Sequence, residues 1–232
     1  MGRIREFVKA RFSDGSRRAL RTLLEELKLQ RIHRRSLRDV PKYLGRGSLK
    51  LHLGCGGNYK PGWVNIDISL VTIPVGPRHP DLWLDLREDL PFPDASASVI
   101  YSEHFFEHLE YPRDAKHLLH DAMRVLEPGG VFSVGVPDTA YALESYVYGH
   151  EEFFRVTRER KWHPAWCRTR MHQINYHFRQ DGEHKWQYDF ETIALVLADA
   201  GFADVVQRPF DPSLDSEFRR WGTLYVDARK PA

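Results

Sequence analysis

The feature that most constrains the fold is a short apolar segment that runs directly into a cluster of glycines. Leu49–Leu53 has the composition of a buried strand, and Gly54, Gly56 and Gly57 follow it at once. Glycine lets the backbone turn tightly and approach a ligand with no Cβ in the way. In an open parallel sheet, a nucleotide-like ligand binds at the carboxyl end of the first strand. A short glycine loop is weak evidence by itself, because many such loops are only turns.

The rest of the chain predicts strands that alternate with helices. The predicted strands are Leu49–Leu53, Trp63–Ile68, Leu82–Leu86, Ser98–Ser102, Val131–Val136, Ala203–Gln207 and Thr223–Ala228, and the predicted helices are Arg113–Leu126 and Asp189–Ala200. This alternation predicts an α/β fold with a Rossmann-like, doubly wound and mostly parallel sheet. The first crossover is short for a helix, since parallel crossovers normally need roughly 10–12 residues. Pro61-Gly62 indicates a tight corner there instead.

Length, charge and cysteine content narrow the class of protein. The 232 residues suffice for one α/β domain with additions, and a net charge of +2 does not favour a nucleic-acid binder. Cys55 and Cys167 are the two cysteines, which excludes a disulfide framework and a C-x-x-C metal motif. The sequence has no apolar run long enough to cross a membrane and no apolar segment typical of a signal peptide. We therefore expect a cytoplasmic location.

Residues 1–44 differ in composition from residues 45–232, which we predict to be the main domain. Basic residues outnumber acidic ones between Arg3 and Arg38. Apolar residues recur there at helical spacing in two stripes: Ile4, Phe7, Val8 and Phe12, then Leu20, Leu23, Leu24, Leu27 and Leu29. We expect two amphipathic helices that pack on the main domain and leave a basic face in solvent. The alternatives are peripheral contact with an anionic membrane and a basic rim for an acidic substrate.

Two acids follow the glycine loop at the ends of successive predicted strands. Asp67 can accept hydrogen bonds from both hydroxyls of a ribose, and Asp85 can accept one from an adenine amino group. Each acid taken alone could be an ordinary surface or turn residue. A glycine loop followed by two acids at successive strand ends is less probable by chance than any one of these features. Tyr59 stands where a dinucleotide fingerprint has its third glycine, which argues against NAD.

The ordered motifs resemble class I S-adenosylmethionine-dependent methyltransferases, in the broad group that acts on small molecules. The similar segments are Leu51 to Gly57, Pro61 to Asp67, Asp85 to Ser96, Ser102 to Leu109 and Arg124 to Gly130. The resemblance covers roughly Lys50 to Gly135 and, more weakly, His184 to Phe202. It implies S-adenosylmethionine as cofactor and S-adenosylhomocysteine as product.

The resemblance also implies which residues contact the cofactor. These are Gly54, Cys55, Gly56 and Gly57 against the methionine part, Asp67 and Ile68 at the ribose, Asp85 and Leu86 at the adenine, and Ser102 and Glu103 on the methionine side. The short first crossover departs from the common pattern.

Proton removal from an acceptor hydroxyl or amine suits a histidine. The candidates are His104, His108, His172, His177 and His184, and we predict catalytic roles for His108, His104 and His177. His108 comes first because the matching family position lies near the acceptor. An equal alternative is a structural histidine that opens a helix.

The run His104-x-x-Glu107-His108 also has the letters of inverted zinc proteases, but its context does not fit them. Some ubiquinone-type O-methyltransferases hold a divalent cation at E-x-x-E-H, and this chain has His104 in place of the first acid. We expect no metal.

Residues 138–188 interrupt the core pattern after the predicted fifth strand and are rich in aromatic residues, histidines and arginines. An insertion at this end of the sheet can cover the acceptor pocket. It predicts a small-molecule acceptor that is sugar-containing or anionic; its own small core is the plainer explanation. The alternative functions are a decayed, non-catalytic binding protein and an RNA-directed methyltransferase. The sequence leaves the oligomeric state open.

Overall fold

The computed structural model describes residues 12–45, 47–68 and 79–232. Its elements confirm an α/β architecture. The helices are α1 (Asp14–Ser36), α2 (Arg113–Val125), α3 (Thr139–Tyr148), α4 (Glu151–Glu159), α5 (Arg170–Arg179) and α6 (Phe190–Asp199). The strands are β1 (Leu49–Leu53), β2 (Val64–Ile66), β3 (Ala97–Glu103), β4 (Leu126–Pro137), β5 (Ala203–Arg208) and β6 (Thr223–Arg229).

The six strands form one sheet in the order β2-β1-β3-β4-β6-β5. The pairs that link β2, β1, β3 and β4 are parallel, and β6 runs antiparallel to both β4 and β5. The first crossover, residues 54–63, is fully described and contains no helix. The predicted tight corner is therefore confirmed, with Gly62 in a left-handed conformation. The sheet brings the carboxyl ends of β1, β2 and β3 to one edge.

One face of the sheet carries the main hydrophobic core. Leu51, Ile100, Phe132 and Val226 project from four adjacent strands on this face, and each is completely buried. Residues of α2 and α6 belong to the same cluster, including Leu118, Leu119, Ile193 and Leu197. Burial of such side chains stabilises the fold by roughly 1.5–3 kcal/mol each relative to exposure.

The opposite face is polar and is covered by the segment after β5. The Tyr101 hydroxyl donates to Asp215 at 3.1 Å, and Arg208 donates to both carboxylate oxygens of Asp215 at 2.6 and 2.8 Å. Arg208 also donates to Ser133 Oγ at 3.1 Å and to Asp227 at 2.8 Å. Hydrogen bonds and ion pairs thus attach this segment to the sheet.

The prediction of a strand at Leu82–Leu86 is wrong. Only Leu82 pairs with the sheet, through a single bridge to Ile66. The backbone amide of Trp83 donates instead to Ser36 Oγ at 2.8 Å, and that of Asp85 donates to His33 Nδ1 at 3.0 Å. Helix α1 therefore takes the hydrogen-bonding groups that a strand would have given to the sheet.

Helix α1 docks through a different face from the one its leucines predict. Glu26 forms an ion pair with Arg87 at 2.8 Å, and His33 and Ser36 bind the segment just described. The stripe predicted to pack inward is instead exposed, with Leu20, Leu23, Leu24 and Leu27 between 43% and 59% accessible. Phe12 is also exposed, and the other residues of the first predicted stripe, Ile4, Phe7 and Val8, lie outside the described residues.

Helices α3, α4 and α5 lie within the predicted insertion. They share a small core of their own, formed by Ala142, Phe153, Phe154 and Ile174, with Trp221 packed against it. Among the described residues, no helix is long and apolar enough to cross a membrane.

Candidate active site

The glycine turn and the acid after β2 meet at the carboxyl edge of the sheet. The Gly56 amide donates to Asp67 Oδ2 at 2.7 Å, and the Cys55 amide donates to the Ile66 carbonyl at 3.1 Å. Gly56 adopts φ +49°, and a Cβ there would meet no atom within 4 Å. Open space therefore lies beside Gly56, whose amide is bonded to the acid that the sequence predicts to bind a ribose.

Position 54 requires glycine for a different reason, which is the close packing of a neighbouring side chain. Gly54 adopts φ +63°, and a Cβ would lie 2.3 Å from Cγ of Phe105. The Phe105 ring therefore packs directly on the turn. This contact ties the glycine loop after β1 to the segment after β3, which carries the predicted catalytic histidines.

Cys55 and the two residues that end β3 occupy buried positions. Cys55 is 3% exposed, and burial raises the pKa of its thiol to about 12, so the thiol is neutral. Ser102 is completely buried, and its hydroxyl has no hydrogen-bond partner. Glu103 accepts from the Ser216 amide and the Tyr225 hydroxyl, both at 3.1 Å, and burial raises its pKa.

Asp85 and Leu86, predicted to contact the adenine, and Ile68, predicted beside the ribose, lie in three different environments. Asp85 Oδ1 accepts from the amide and Nε of Arg87, and Oδ2 accepts from Nη2 at 2.7 Å. Burial would raise the pKa of Asp85, but the Arg87 hydrogen bonds outweigh it and lower the pKa. An adenine amino group would therefore share this carboxylate with Arg87. Leu86 is 3% exposed in the core, and Ile68 is half-buried after Asp67.

Three histidines surround the buried carboxylate of Glu107. Nδ1 of His104 lies 3.7 Å from Glu107 Oε1, and Nε2 of His108 and of His184 lie 3.9 and 4.0 Å from the same oxygen. Glu107 is 1% exposed, and neither carboxylate oxygen has a hydrogen-bond partner. Burial raises its pKa to about 8. Neutral imidazoles match this environment, since burial lowers the pKa of His108 and brings that of His184 to about 4.

His104 sits in a strained backbone conformation that aims its ring at two partners. Its φ is +52°, which is uncommon for a residue with a side chain. Its amide donates to the Gly135 carbonyl at 2.7 Å, and its Nε2 lies 2.8 Å from Thr223 Oγ1. The turn after β3 is thus held by β4 and β6.

The structure places His177 apart from this group. Its ring packs against Phe153, with centroids 5.7 Å apart, inside the core of the insertion, and burial lowers its pKa to about 3. Only its backbone carbonyl reaches the site, where it lies 2.8 Å from His184 Nδ1. Of the two predicted candidates His177 and His184, His184 is the one whose ring lies beside Glu107.

The sequence pointed to both His184 and Glu107 but did not predict that they lie close together. The amides of Lys185 and Trp186 both donate to the Glu107 carbonyl, at 2.8 and 3.2 Å. This backbone contact carries His184 to the site. The only sequence feature that pointed to His184 was the weak family resemblance that begins there. No residue spacing in that segment predicts the contact with Glu107.

Comparison with known proteins identifies the domain. Residues 51–134 match the family described as Methyltransferase domain. A curated relative, a probable S-adenosylmethionine-dependent methyltransferase of Mycolicibacterium smegmatis, is 32% identical over 127 residues. That match covers 49% of this chain and 44% of the relative.

The fold agrees with this family. The crystal structure of a SAM-dependent methyltransferase from Archaeoglobus fulgidus aligns with a TM-score of 0.51 at 19% identity, over 88% of this chain and 94% of that chain. The matched segment contains the glycine turn, Asp67, the carboxyl end of β3, and Glu107 with His104 and His108, but not His184. Residues 51–134 thus match a methyltransferase domain, and the motifs and fold of the chain are consistent with class I S-adenosylmethionine-dependent methyltransferases.

Proposed function

We propose that this chain catalyses methyl transfer from S-adenosylmethionine to a small-molecule acceptor. The observation that carries the proposal is the hydrogen bond between Gly56 and Asp67, with open space beside it. It joins the glycine turn after β1 to an acid at the end of β2, which is the geometry that a ribose-bearing ligand requires.

The residues at this edge fit the cofactor. Gly56 presents no Cβ to a ligand, and Asp67 presents a carboxylate to the ribose hydroxyls. The unpartnered hydroxyl of Ser102 offers one further polar group at the end of β3. When bound, S-adenosylmethionine supplies an electrophilic methyl group on its sulfonium. The protein then has to orient the acceptor, exclude water and remove a proton.

His108 is our candidate for proton removal. Its lowered pKa keeps the imidazole neutral at pH 7, so Nε2 can accept a proton. His104 holds the turn that carries His108, and His177 supports His184 through its carbonyl.

The insertion favours an anionic acceptor. A cavity of about 630 Å³ in this part of the chain is lined by residues that include Arg158, Lys161, His163 and Arg168. Arginine and lysine recognise phosphate and carboxylate groups. The basic lining is compatible with the anionic acceptor predicted from the sequence, whereas the sugar-containing alternative rests on the aromatic residues elsewhere in the insertion.

Calorimetric titration with S-adenosylmethionine and, separately, NAD tests the proposal. We expect saturable binding of S-adenosylmethionine alone. Asp67→Ala should weaken it by about 10–100-fold, since hydrogen bonds to a charged group contribute roughly 1.5–3 kcal/mol. His108→Gln, which alters the acceptor side, and Asp204→Asn, which alters an exposed acid on β5, should both retain wild-type affinity.

Two results would overturn these assignments. Unchanged affinity in Asp67→Ala would remove the ribose role of that residue. Failure of the folded wild-type protein to bind S-adenosylmethionine would favour the decayed-site alternative.

A further inference from the structure

The starting point is the buried Glu107 carboxylate, which has no donor among its neighbours. It is 1% exposed, and neither oxygen accepts a hydrogen bond. A buried carboxylate without partners is costly, and native proteins normally satisfy such groups with a donor or a cation. The chain provides neither a lysine nor an arginine in contact with it among the described residues. The carboxylate therefore lacks a positive partner.

Two of the three imidazoles around Glu107, those of His108 and His184, are oriented as ligands. Nδ1 of His108 lies 3.2 Å from the carbonyl oxygen of Glu183, and Nδ1 of His184 lies 2.8 Å from that of His177. Because a carbonyl oxygen only accepts, each Nδ1 carries the proton, and each Nε2 keeps its lone pair. The amide nitrogen of Gln187 is also 3.1 Å from His184 Nδ1, but the carbonyl contact is shorter.

This arrangement is the one that metal-binding histidines use. A ligating imidazole usually donates its other N–H to a carbonyl or carboxylate, which fixes the tautomer and the ring orientation. Here both Nε2 atoms face Glu107 Oε1, at 3.9 and 4.0 Å. The ligand atoms of Glu107, His108 and His184 all lie within 4.8 Å of one another.

We propose that Glu107, His108 and His184 bind a divalent transition-metal ion such as Zn²⁺. Two imidazole nitrogens and one carboxylate oxygen suit Zn²⁺, Co²⁺ and Fe²⁺ better than Mg²⁺ or Ca²⁺, which prefer oxygen ligands. Two donors on a tetrahedral zinc ion lie ~3.3 Å apart, given bond lengths of ~2.0–2.1 Å. The nitrogen–oxygen separations of 3.9 and 4.0 Å would therefore shorten by about 0.6–0.7 Å, and no two of the ligand atoms lie more than 4.8 Å apart.

The set differs from the motif in the sequence. His104 lies 3.7 Å from Glu107 Oε1 but is not among the residues whose ligand atoms all come together, and its Nε2 is engaged with Thr223. The third ligand is His184, which lies near the end of the insertion in the sequence. A metal at this point would join the insertion to the turn after β3.

The ion would also change the role of His108, a consequence that rests on the proposed function. With Nε2 bound to a metal, His108 cannot accept a proton. An acceptor oxygen at the open fourth position would instead have its own pKa lowered by the ion. Metal binding itself is independent of methyl transfer and is tested without it.

The experiment measures Co²⁺ binding to protein freed of metal by a chelator. Visible absorption reports the coordination of Co²⁺ directly, and Zn²⁺ is then added as competitor. We expect one equivalent of Co²⁺ to give d–d absorption bands, and one equivalent of Zn²⁺ to abolish them. His184→Gln and Glu107→Gln should lose the bands, whereas His172→Gln, which alters an exposed histidine of α5, should keep them.

The outcomes separate the two proposals. Circular dichroism confirms that each variant is folded, and Glu107→Gln remains informative if His184→Gln fails to fold. No stoichiometric Co²⁺ binding by folded wild-type protein would overturn the metal site, as would equal binding by Glu107→Gln and His172→Gln. Titration with S-adenosylmethionine in the absence of metal tests the cofactor site separately, so failure of one leaves the other standing.

Discussion

Gly54 and Gly56 belong to the same turn but face different surroundings. Both have positive φ, at +63° and +49°. A Cβ at Gly54 would overlap the Phe105 ring, whereas one at Gly56 would enter open space. The first glycine therefore serves packing within the protein, and the second serves the approach of a ligand.

Gly54→Ala should destabilise the fold more than Gly56→Ala does. Both changes force a left-handed alanine, which costs roughly 1–2 kcal/mol. Gly54→Ala adds overpacking against Phe105, which typically costs about 1–3 kcal/mol. Urea unfolding of the two variants measures the difference. Equal losses of unfolding free energy would show that the Phe105 contact relaxes without cost.

At the scale of elements, the attachment of α1 depends on a few polar side chains. Ser36 is 5% exposed, and its hydroxyl is the acceptor for the Trp83 amide at 2.8 Å. Leu23, on the stripe that the sequence predicts to pack inward, is 55% exposed. The polar face thus holds the helix, and the leucine face does not.

Ser36→Ala should lower the free energy of unfolding by about 0.5–1.5 kcal/mol, because it removes the acceptor of the Trp83 amide in a part-buried hydrogen bond. Leu23→Gln is the matched change on the exposed face, and surface substitutions usually stay within about 0.5 kcal/mol. Thermal or urea denaturation compares the two. A larger loss in Leu23→Gln would mean that the leucine stripe is covered in solution.

The elements show which parts of the fold are readable from sequence. The strands near Leu49–Leu53 and Val131–Val136 and the helix after Arg113 were predicted because apolar periodicity alone specifies them. The Leu82–Leu86 prediction failed because its amides bind α1, and helical periodicity does not say which face of α1 will dock. The site followed the same rule: residues next to strand ends were predictable, whereas the pairing of Glu107 with His184 depends on a long-range backbone contact.

For the molecule as a whole, the polar face of the sheet is held by a buried ion pair. Asp215 accepts four hydrogen bonds, from Tyr101, from two nitrogens of Arg208 and from the Asp211 amide at 2.7 Å. The Arg208 side chain is 12% exposed, and that of Asp215 is completely buried. This carboxylate connects β3, β5 and the segment after β5.

Asp215→Asn should destabilise the protein by about 3–5 kcal/mol, because it breaks a buried pair and leaves Arg208 only the more exposed carboxylate of Asp227. Glu217→Gln breaks an exposed pair with Arg220, whose side chains are 72% and 62% accessible, and should cost about 0–1 kcal/mol. Denaturant titration of both variants makes the comparison. Similar small losses in the two would show that water reaches Arg208 and replaces Asp215.

The hydrogen bonds from Lys185 and Trp186 to the Glu107 carbonyl have a consequence for exchange with solvent. Any local opening that separates the insertion from the turn after β3 breaks these bonds and takes His184 away from Glu107 at the same time. Exposure of Glu107 to solvent and disassembly of the Glu107 cluster are therefore one equilibrium. A ligand that binds only the closed cluster stabilises it by mass action, so its concentration sets how often the cluster opens.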